Sequence, residues 1–254
     1  MSFYVALGDG RFASTEHTAG PWCPDAQHGG PPAALLGGLL EAFAPRPELI
    51  LARVAIEILG PVPVAELAST VAIERAGRSV ELVAGELRAG GRAVLRARGW
   101  RVRRSPLAAG AASSPPALPT AATPTPAAYG SFPYGRAVEW RWADGDWDQP
   151  GPASVWTRLR MPLVEGAATT PLQRVLAVAD SGNGVSSWFE WGSALYINPE
   201  LTVHVLREAA GEWICLQART EIAQGGAGLA TSRLSDRTGP VARGAQALLV
   251  ASTD

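Results

Sequence analysis

The sequence predicts an α+β fold made of two tandem modules, each a central helix wrapped by an antiparallel β-sheet. Three observations predict this fold. A segment poor in large side chains divides the 254-residue chain into halves of similar length. Each half contains one apolar helical segment that is followed by a run of alternating strands. The order of these elements is the same in both halves, which indicates a duplication.

The dividing segment, residues 105–129, reads SPLAAGAASSPPALPTAATPTPAAY and consists almost entirely of small residues and prolines. Such a stretch has too few large apolar side chains to offset its ordering entropy with a core, so we expect a linker that is extended over the surface or mobile. The predicted organisation is an N-terminal module at 1–104, the linker at 105–129 and a C-terminal module at 130–254.

Each module is predicted to begin with its helix. In the first half the helix is expected at about Pro31 to Phe43, after the glycine pair of HGG, and four strands follow at RVAIEIL, LASTVAIER, SVELVAGELR and AVLRARGWRV. In the second half a helix is expected at about Asn183 to Trp191, before strands at LTVHVLR, WICLQARTEIA, GLATSRLSD and VARGAQALLV. The two halves therefore share one element order.

The repeat depends on pattern more than on identical residues. At a shift of 147 positions, Val94–Gly99 lies on Val241–Gln246, and we align the alternation of Val54–Ile56 with that of Val203–Val205. A helix with an antiparallel run of strands buries its apolar stripe and one sheet face only when the two pack together, which is the hotdog arrangement. The second copy can cover the sheet edge and helix flank that a single module leaves exposed. The competing interpretation is an all-β sandwich with incidental helices.

The composition excludes several chemistries. All 22 basic residues are arginine, so a pyridoxal Schiff base, an amine nucleophile and a P-loop lysine are ruled out. The three histidines form neither an HExxH motif nor a close pair, and no GxSxG motif occurs. A histidine-built zinc site and an α/β-hydrolase are therefore disfavoured. We expect neither a metal nor an organic cofactor.

Charge and hydropathy limit the partners and the compartment. The net charge of −1 leaves no basic stripe for nucleic acid, and no apolar run is long enough for a membrane span. The N-terminus lacks the features of a secretory signal, and Cys23 and Cys215 lie far apart and outside any CxxC pair. These features are typical of a cytoplasmic protein.

Five segments resemble the acyl-CoA thioesterase II group of double-hotdog enzymes. They are DAQHGGPPAALLGGLLEAF at Asp25–Phe43, WTRLRMPLVEG at Trp156–Gly166, VADSGNGVSS at Val178–Ser187, YINPELTVHVLR at Tyr196–Arg207 and RGAQALLV at Arg243–Val250. They occur in the order of the family and cover nearly the whole chain apart from the linker. The resemblance implies hydrolysis of acyl-CoA thioesters without a cofactor, and it is compatible with homo-oligomers of double-hotdog chains.

The resemblance also implies the site. In that family an aspartate heads the second central helix, a hydroxyl or amide residue precedes the next strand, and a glutamine lies on the last strand. These positions fall on Asp180, Asn198 and Gln246. The best-known members have threonine at the middle position, so the chain departs from the pattern at Asn198, and the role of that residue is the open one.

Thioester chemistry needs these residue types. A carboxylate deprotonates water or attacks directly, neutral groups orient the water, and donors stabilise the oxygen that gains charge. Asp180 fits the first role, while the amides of Asn198 and Gln246 can hold a water without neutralising the carboxylate. Backbone N–H groups at a helix start suit the third role, and His28-Gly29-Gly30 offers such a start to the substrate carbonyl.

The repeat predicts one active site per chain, between the modules. Gly99 aligns with Gln246, and Gln27 or His28 aligns roughly with Asp180, so the two equivalent sites differ chemically. We expect the degenerate site to remain as scaffold or as the floor of an acyl tunnel.

Structural roles and rival functions compete with these assignments. Asp180 can be a helix N-cap, Gln246 a satisfied buried amide, Asn198 a turn residue before proline, and His28 a turn histidine without chemistry. One rival function is hydration or dehydration of an enoyl thioester, which uses a histidine paired with a carboxylate across the module interface. The other is non-catalytic binding of acyl-CoA or lipid.

Overall fold

The computed structural model describes residues 1–107, 114–120, 132–147, 149–190 and 193–252. The strands are β1 (Tyr4–Gly8), β2 (Arg11–Ser14), β3 (Leu49–Ile58), β4 (Glu66–Arg75), β5 (Val80–Ala89), β6 (Arg92–Arg103), β7 (Val138–Asp144), β8 (Ala153–Leu159), β9 (Ala194–Ile197), β10 (Glu200–Val205), β11 (Ile214–Ile222), β12 (Ala227–Asp236) and β13 (Gly239–Ser252). The helices are α1 (Gly30–Ala42), α2 (Pro133–Ala137), α3 (Pro171–Ala179) and α4 (Gly182–Val185), with a short 3-10 turn at Glu16–Thr18.

All of these strands belong to one antiparallel sheet. Its order is β1-β2-β4-β5-β6-β3-β10-β13-β12-β11-β8-β7, and β9 pairs with the end of β13. The halves join through β3 and β10, where Val54 lies opposite Val203 and Ile56 opposite Leu201. The inner face of the sheet packs on α1 and α3 around a buried apolar core. The predicted α+β double hotdog is thereby confirmed, and the all-β sandwich is wrong.

The repeat is present in the strand register. One shift of 147 residues relates β3, β4, β5 and β6 to β10, β11, β12 and β13, since Val83 pairs with Gly99 in one half and Ala230 with Gln246 in the other. The β-bulge after Leu87 recurs after Leu234. The register confirms that Gly99 corresponds to Gln246. It corrects the alignment of β3, because Val54–Ile56 corresponds to Leu201–Val203 rather than to Val203–Val205.

The second central helix begins earlier than predicted. The helix expected at Asn183 to Trp191 is wrong, because α3 spans Pro171–Ala179 and only the four-residue α4 falls in that region. A capping box starts α3: the Thr170 side chain accepts from the Gln173 N–H, the Gln173 side chain accepts from the Thr170 N–H, and Pro171 follows the cap. The predicted first helix matches α1 to within one residue at each end.

Helices α1 and α3 lie antiparallel and very close together. A β-carbon at Gly30 would be 2.0 Å from the carbonyl oxygen of Ala177, and one at Gly38 would be 2.1 Å from Gln173 Nε2. At the opposite end of the pair, the Thr170 hydroxyl donates to Glu41 Oε2 at 2.8 Å. The C-terminal end of α3 therefore lies beside the N-terminal end of α1, although the two ends come from different halves.

Part of the predicted linker is fixed on the second half. Residues 108–113 and 121–129 lie outside the described residues, but the indole N–H of Trp156 donates to the carbonyl of Pro116 at 3.1 Å and Arg141 donates to the carbonyl of Pro119 at 3.0 Å. The module limits at 104 and 130 stay a prediction. None of the helices described here is long and apolar enough to cross a membrane.

Candidate active site

A cleft of about 500 Å³ opens in the seam between the halves. Segments 21–29 and 58–62 of the first half and segments 180–184 and 195–199 of the second half supply most of its walls. Asp180, Asn198, His28 and Gly29 all line it. Two hollows of about 670 Å³ on the outward face of the sheet contain none of the predicted site residues.

Two side-chain amides converge on the Asp180 carboxylate. Asn198 Nδ2 donates to Asp180 Oδ1 at 2.8 Å, and Gln246 Nε2 lies 3.4 Å from the same oxygen while it donates to the Asp180 carbonyl at 3.1 Å. Gln246 is 2% exposed, and its Oε1 accepts from the Asn183 N–H at 3.2 Å. That bond sets the orientation of the amide, so its NH₂ group faces the aspartate.

Asp180 does not head a helix, so that expectation and the N-cap interpretation are both wrong. It directly follows α3 as its C-cap residue, and Ser181 occupies the N-cap position of α4. Its carboxylate instead faces the start of α1 in the other half, where a β-carbon at Gly29 would lie 2.6 Å from Asp180 Oδ2. The antiparallel helix pair thus places Asp180 at the positive end of the α1 dipole.

His28 lies beside Asp180 in the same site. Its Nδ1 accepts the Gly30 N–H at 3.0 Å and is 3.4 Å from Asp180 Oδ2. Because Nδ1 accepts that bond, the neutral ring has its proton on Nε2. Burial lowers the pKa of His28, and the Asp180 carboxylate opposes this only partly. Gln27 and His28 precede the N-terminal end of α1, whereas Asp180 follows the C-terminal end of α3, so the alignment of either residue with Asp180 as its equivalent in the repeat is wrong.

The start of α1 leaves one backbone donor for the cleft. Two of its first residues, Pro31 and Pro32, have no N–H, Gly30 donates to His28, and the Ala33 N–H donates to the Gly29 carbonyl at 3.1 Å. Gly29 lines the cleft, and its N–H has no acceptor within the described part of the chain. Of the predicted His28-Gly29-Gly30 group, Gly29 is therefore the residue whose N–H is available to a substrate.

Tyr134 is a site residue that the sequence did not reveal. Its ring stacks on His28 with centroids 3.9 Å apart and planes 10° apart. Its hydroxyl donates to the Ala177 carbonyl at 2.8 Å and lies 3.2 Å from Ser181 Oγ. Burial raises the pKa of Tyr134, so the phenol stays protonated. No spacing or motif distinguishes this tyrosine in the sequence, because its role depends on contacts between the halves.

The remainder of the cleft is mainly apolar. The apolar side chains that line it are Pro21, Trp22, Ala26, Ile58, Pro61, Val62, Leu195, Tyr196, Ile197, Pro199 and Leu249. Trp22 meets Tyr196 edge-on with ring centroids 6.4 Å apart, and the exposed thiol of Cys23 lies at the same wall. Such a wall suits a hydrocarbon chain. Among the described residues, no group of three or more His, Cys, Asp or Glu side chains is placed to hold a metal ion.

Comparison with known proteins gives a family. A model described as the acyl-CoA thioesterase N-terminal domain matches residues 18–102, and one described as the acyl-CoA thioesterase C-terminal domain matches residues 89–250. No curated protein matches the sequence significantly.

Several solved structures share the fold. A conserved hot dog fold protein of unknown function from Alicyclobacillus acidocaldarius has a TM-score of 0.77 at 15% identity, with 98% of this chain and 96% of that chain covered. A TesB protein from Mycobacterium avium subspecies paratuberculosis has a TM-score of 0.69 at 15% identity, covering 98% and 96%. An acyl-CoA thioesterase II from Mycobacterium marinum has a TM-score of 0.69 at 13% identity, covering 99% and 95%. At these identities the likeness shows the hotdog fold.

Proposed function

The chain belongs to the acyl-CoA thioesterase family and is a thioester hydrolase, and from this premise we propose that it hydrolyses acyl-CoA with a water activated by Asp180. The observation that carries this proposal is the convergence of Asn198 and Gln246 on one oxygen of a buried carboxylate that lines an apolar cleft.

The two amides face the same oxygen of the Asp180 carboxylate and leave the other oxygen for catalysis. Because Asp180 Oδ1 receives the bond from Asn198 and faces Gln246, the other oxygen, Oδ2, is the one left to take a proton from water. Asn198 uses its NH₂ group on Asp180 and on the Glu200 carbonyl at 3.2 Å, so its own carbonyl oxygen can accept the second hydrogen of that water. An amide can thus replace the hydroxyl that the family usually has at this position.

The reaction then balances without a cofactor. The water oxygen forms a bond to the thioester carbon, Asp180 Oδ2 takes the proton, and the carbonyl electrons move to the oxygen. That oxyanion accepts a hydrogen bond from the Gly29 N–H, which has no acceptor among the described residues and lies near the positive end of α1. When the carbonyl re-forms, the C–S bond breaks, and the thiolate of CoA leaves and receives the proton. The acyl group lies in the cleft against its apolar wall.

Asp180→Asn is the decisive variant, because it keeps the shape of the side chain and removes the base. We expect kcat to fall by about 10²–10⁴-fold, while binding of a non-hydrolysable thioether analogue of acyl-CoA is kept. Thiol release from a panel of acyl-CoA esters measures turnover, and calorimetry measures binding. Wild-type turnover in this variant would refute the base assignment, and no thiol release from any ester by the natural enzyme would refute the substrate class. Hydrolysis by the natural enzyme would also contradict the non-catalytic binding alternative.

One observation favours a second candidate, hydration or dehydration of an enoyl thioester. His28 and Asp180 come from different halves and approach to 3.4 Å, as a histidine-carboxylate pair across the interface would. The Gly30 N–H bond to Nδ1 speaks against it, because a neutral ring with its proton on Nε2 offers the substrate a donor rather than a base. Enoyl-CoA absorbance recorded beside thiol release separates the two reactions.

Location and assembly are further parts of this proposal. We place the enzyme in the cytoplasm and expect its double-hotdog chains to form homo-oligomers. Cell fractionation and sedimentation of the purified protein test these two points.

A further inference from the structure

One ring nitrogen of His28 makes no hydrogen bond within the part of the chain that the structure describes. Its side chain is only 10% exposed and lines the cleft. Nδ1 accepts from Gly30, whereas Nε2 has no hydrogen-bond partner among the residues that the structure describes. The ring is nearly enclosed, but Nε2 itself is not fully buried, so its N–H is accessible from the cleft, where a ligand can accept a hydrogen bond from it.

Both halves of the molecule hold the imidazole in place. From the first half, the Gly30 N–H donates to Nδ1. The backbone of His28 is also held, because its own backbone N–H donates to the Thr18 carbonyl at 2.8 Å. From the second half, the ring of Tyr134 lies parallel to the imidazole at 3.9 Å. Rotation of the ring would break the Gly30 bond, and tilting would break the stack. These two contacts therefore fix the direction of the Nε2–H.

Tyr134 is itself anchored next to the base. Its hydroxyl binds the Ala177 carbonyl and contacts Ser181, so it is tied to the residues on both sides of Asp180. The Tyr134 hydroxyl therefore links the ring that supports His28 to the turn that presents Asp180. A substitution at Tyr134 should displace the His28 ring more than the Asp180 carboxylate, because Asn198 and Gln246 hold the carboxylate independently.

We infer that His28 is a further catalytic residue that donates Nε2–H to the thioester oxygen beside the Gly29 N–H, and that Tyr134 is the residue that positions it. This inference rests on the proposed function. As water adds to the thioester carbon, the carbonyl electrons move to the oxygen, which then accepts two hydrogen bonds. No proton leaves His28, and both bonds weaken again when the carbonyl re-forms and the thiolate departs.

The neutral ring is the form that suits this role. An imidazolium would have a proton on Nδ1, lose the Gly30 bond and pair with Asp180 Oδ2, which is the oxygen that must accept the proton of water. A neutral donor stabilises the oxyanion without occupying the base.

Two substitutions at His28 separate the donor from the rest of the side chain. In His28→Asn, the amide oxygen can replace Nδ1 as acceptor of the Gly30 N–H, but no donor reaches the position of Nε2. In His28→Gln, the longer side chain places an NH₂ group near that position. We expect kcat of the Asn variant to fall by about 10²–10³-fold with KM nearly unchanged, and the Gln variant to recover at least about tenfold of that loss.

Thermal unfolding and binding of the thioether analogue serve as controls for both variants. Equal kcat values for Asn and Gln, or a loss confined to KM or to the melting temperature, would overturn the donor role. The outcome of Asp180→Asn keeps the two proposals apart. If that variant is inactive while both His28 variants turn over like the natural enzyme, only the present inference fails.

Tyr134 is tested with a matched pair. Tyr134→Phe keeps the stacked ring and removes the hydroxyl, whereas Tyr134→Leu removes the stack as well. We expect the Leu variant to lose about tenfold more kcat than the Phe variant. In the double variant Tyr134→Leu/His28→Asn the Leu substitution should add little, because the donor that it positions is already absent. Additive losses in kcat would show that Tyr134 acts independently of His28 and would overturn its positioning role.

Discussion

The two ends of the antiparallel helix pair are built alike, but only one of them is open. At the open end Asp180, at the C-terminal end of α3, faces Gly29 at the start of α1, above a cleft of about 500 Å³. At the closed end Glu41, at the C-terminal end of α1, faces Thr170 at the start of α3. The cavity there is only about 10 Å³, which is about the space of one water molecule.

The strand register explains the difference. The counterparts of Gln246 and Asn198 in the first half are Gly99 and Leu51. A β-carbon at Gly99 would lie 2.6 Å from Leu51 Cδ1, so the leucine fills the space that an amide occupies at the open end. Of the two roles expected for the closed end, scaffold or floor of an acyl tunnel, we propose the scaffold, because the cavity there is too small for an acyl chain. The two halves thus share the strand pairing and the bulge but differ in the side chains at these two positions.

The largest expected effect concerns the stability of the closed end. Arg101 donates to the carbonyls of Leu40 and Phe43 at the end of α1 and pairs with Glu81 at 2.9 Å, with both side chains under 5% exposed. Arg101→Leu leaves a buried carboxylate without its main partner, so we expect a loss of about 3–5 kcal/mol in the free energy of unfolding. Urea unfolding measures it.

Two controls sharpen that prediction. The double variant Arg101→Leu/Glu81→Leu should recover part of the lost stability, because no buried charge is left unpaired. The kcat of the molecules that remain folded should be unchanged in either variant. A drop in kcat would mean that the two ends are not independent.

The next effect concerns the open end. The backbone of Gly29 has φ −65 and ψ −22, which alanine adopts readily, so Gly29→Ala should fold. Its methyl group would displace the Asp180 carboxylate, and we expect kcat to fall by about 10²-fold. Thr170→Ala at the closed end is the matched control, with a loss of about 1 kcal/mol in stability and no change in kcat. Similar kinetics in the two variants would contradict the assignment of the active end.

The smallest effect is a shift in pH dependence. The titratable groups that face His28 are Asp180 and Tyr134. The neutral donor is present above the pKa of His28, and burial lowers that pKa. Activity should therefore be lost as the pH falls through the lowered pKa. In His28→Gln this limb of the kcat/KM profile should move to lower pH. An acid limb that stays in place would assign it to another group.

The sequence was most informative where a residue's own neighbours decide its structure. The strands after α1 and α3 follow from alternation, and α1 follows from its apolar run, so the fold could be predicted. The sequence prediction placed this helix at Asn183 to Trp191, because the signal for α3 is only the short capping box at Thr170. The resemblance predicted Asp180 and Gln246 as site residues, and Gln246 Nε2 lies 3.4 Å from Asp180 Oδ1 in the structure.

What could not be predicted depends on contact between the halves. His28 was aligned with Asp180 as its copy, whereas antiparallel packing of α1 against α3 makes the two residues neighbours. Tyr134 has no local pattern because its ring matters only once His28 stacks on it. Leu51 fills the space beside Gly99 at the closed end of the helix pair. This contact depends on the register between β3 and β6, which the alternation within one strand does not reveal.

The two cysteines have very different surroundings, and this makes the natural protein convenient for spectroscopy. Cys215 is buried, and burial raises the pKa of its thiol to about 12, whereas Cys23 is exposed at the cleft wall. A thiol-reactive fluorophore should therefore attach at Cys23 alone near neutral pH, since the thiolate is the reactive form. The label would report when a ligand enters and leaves the cleft, in a chain that needs no engineered attachment point.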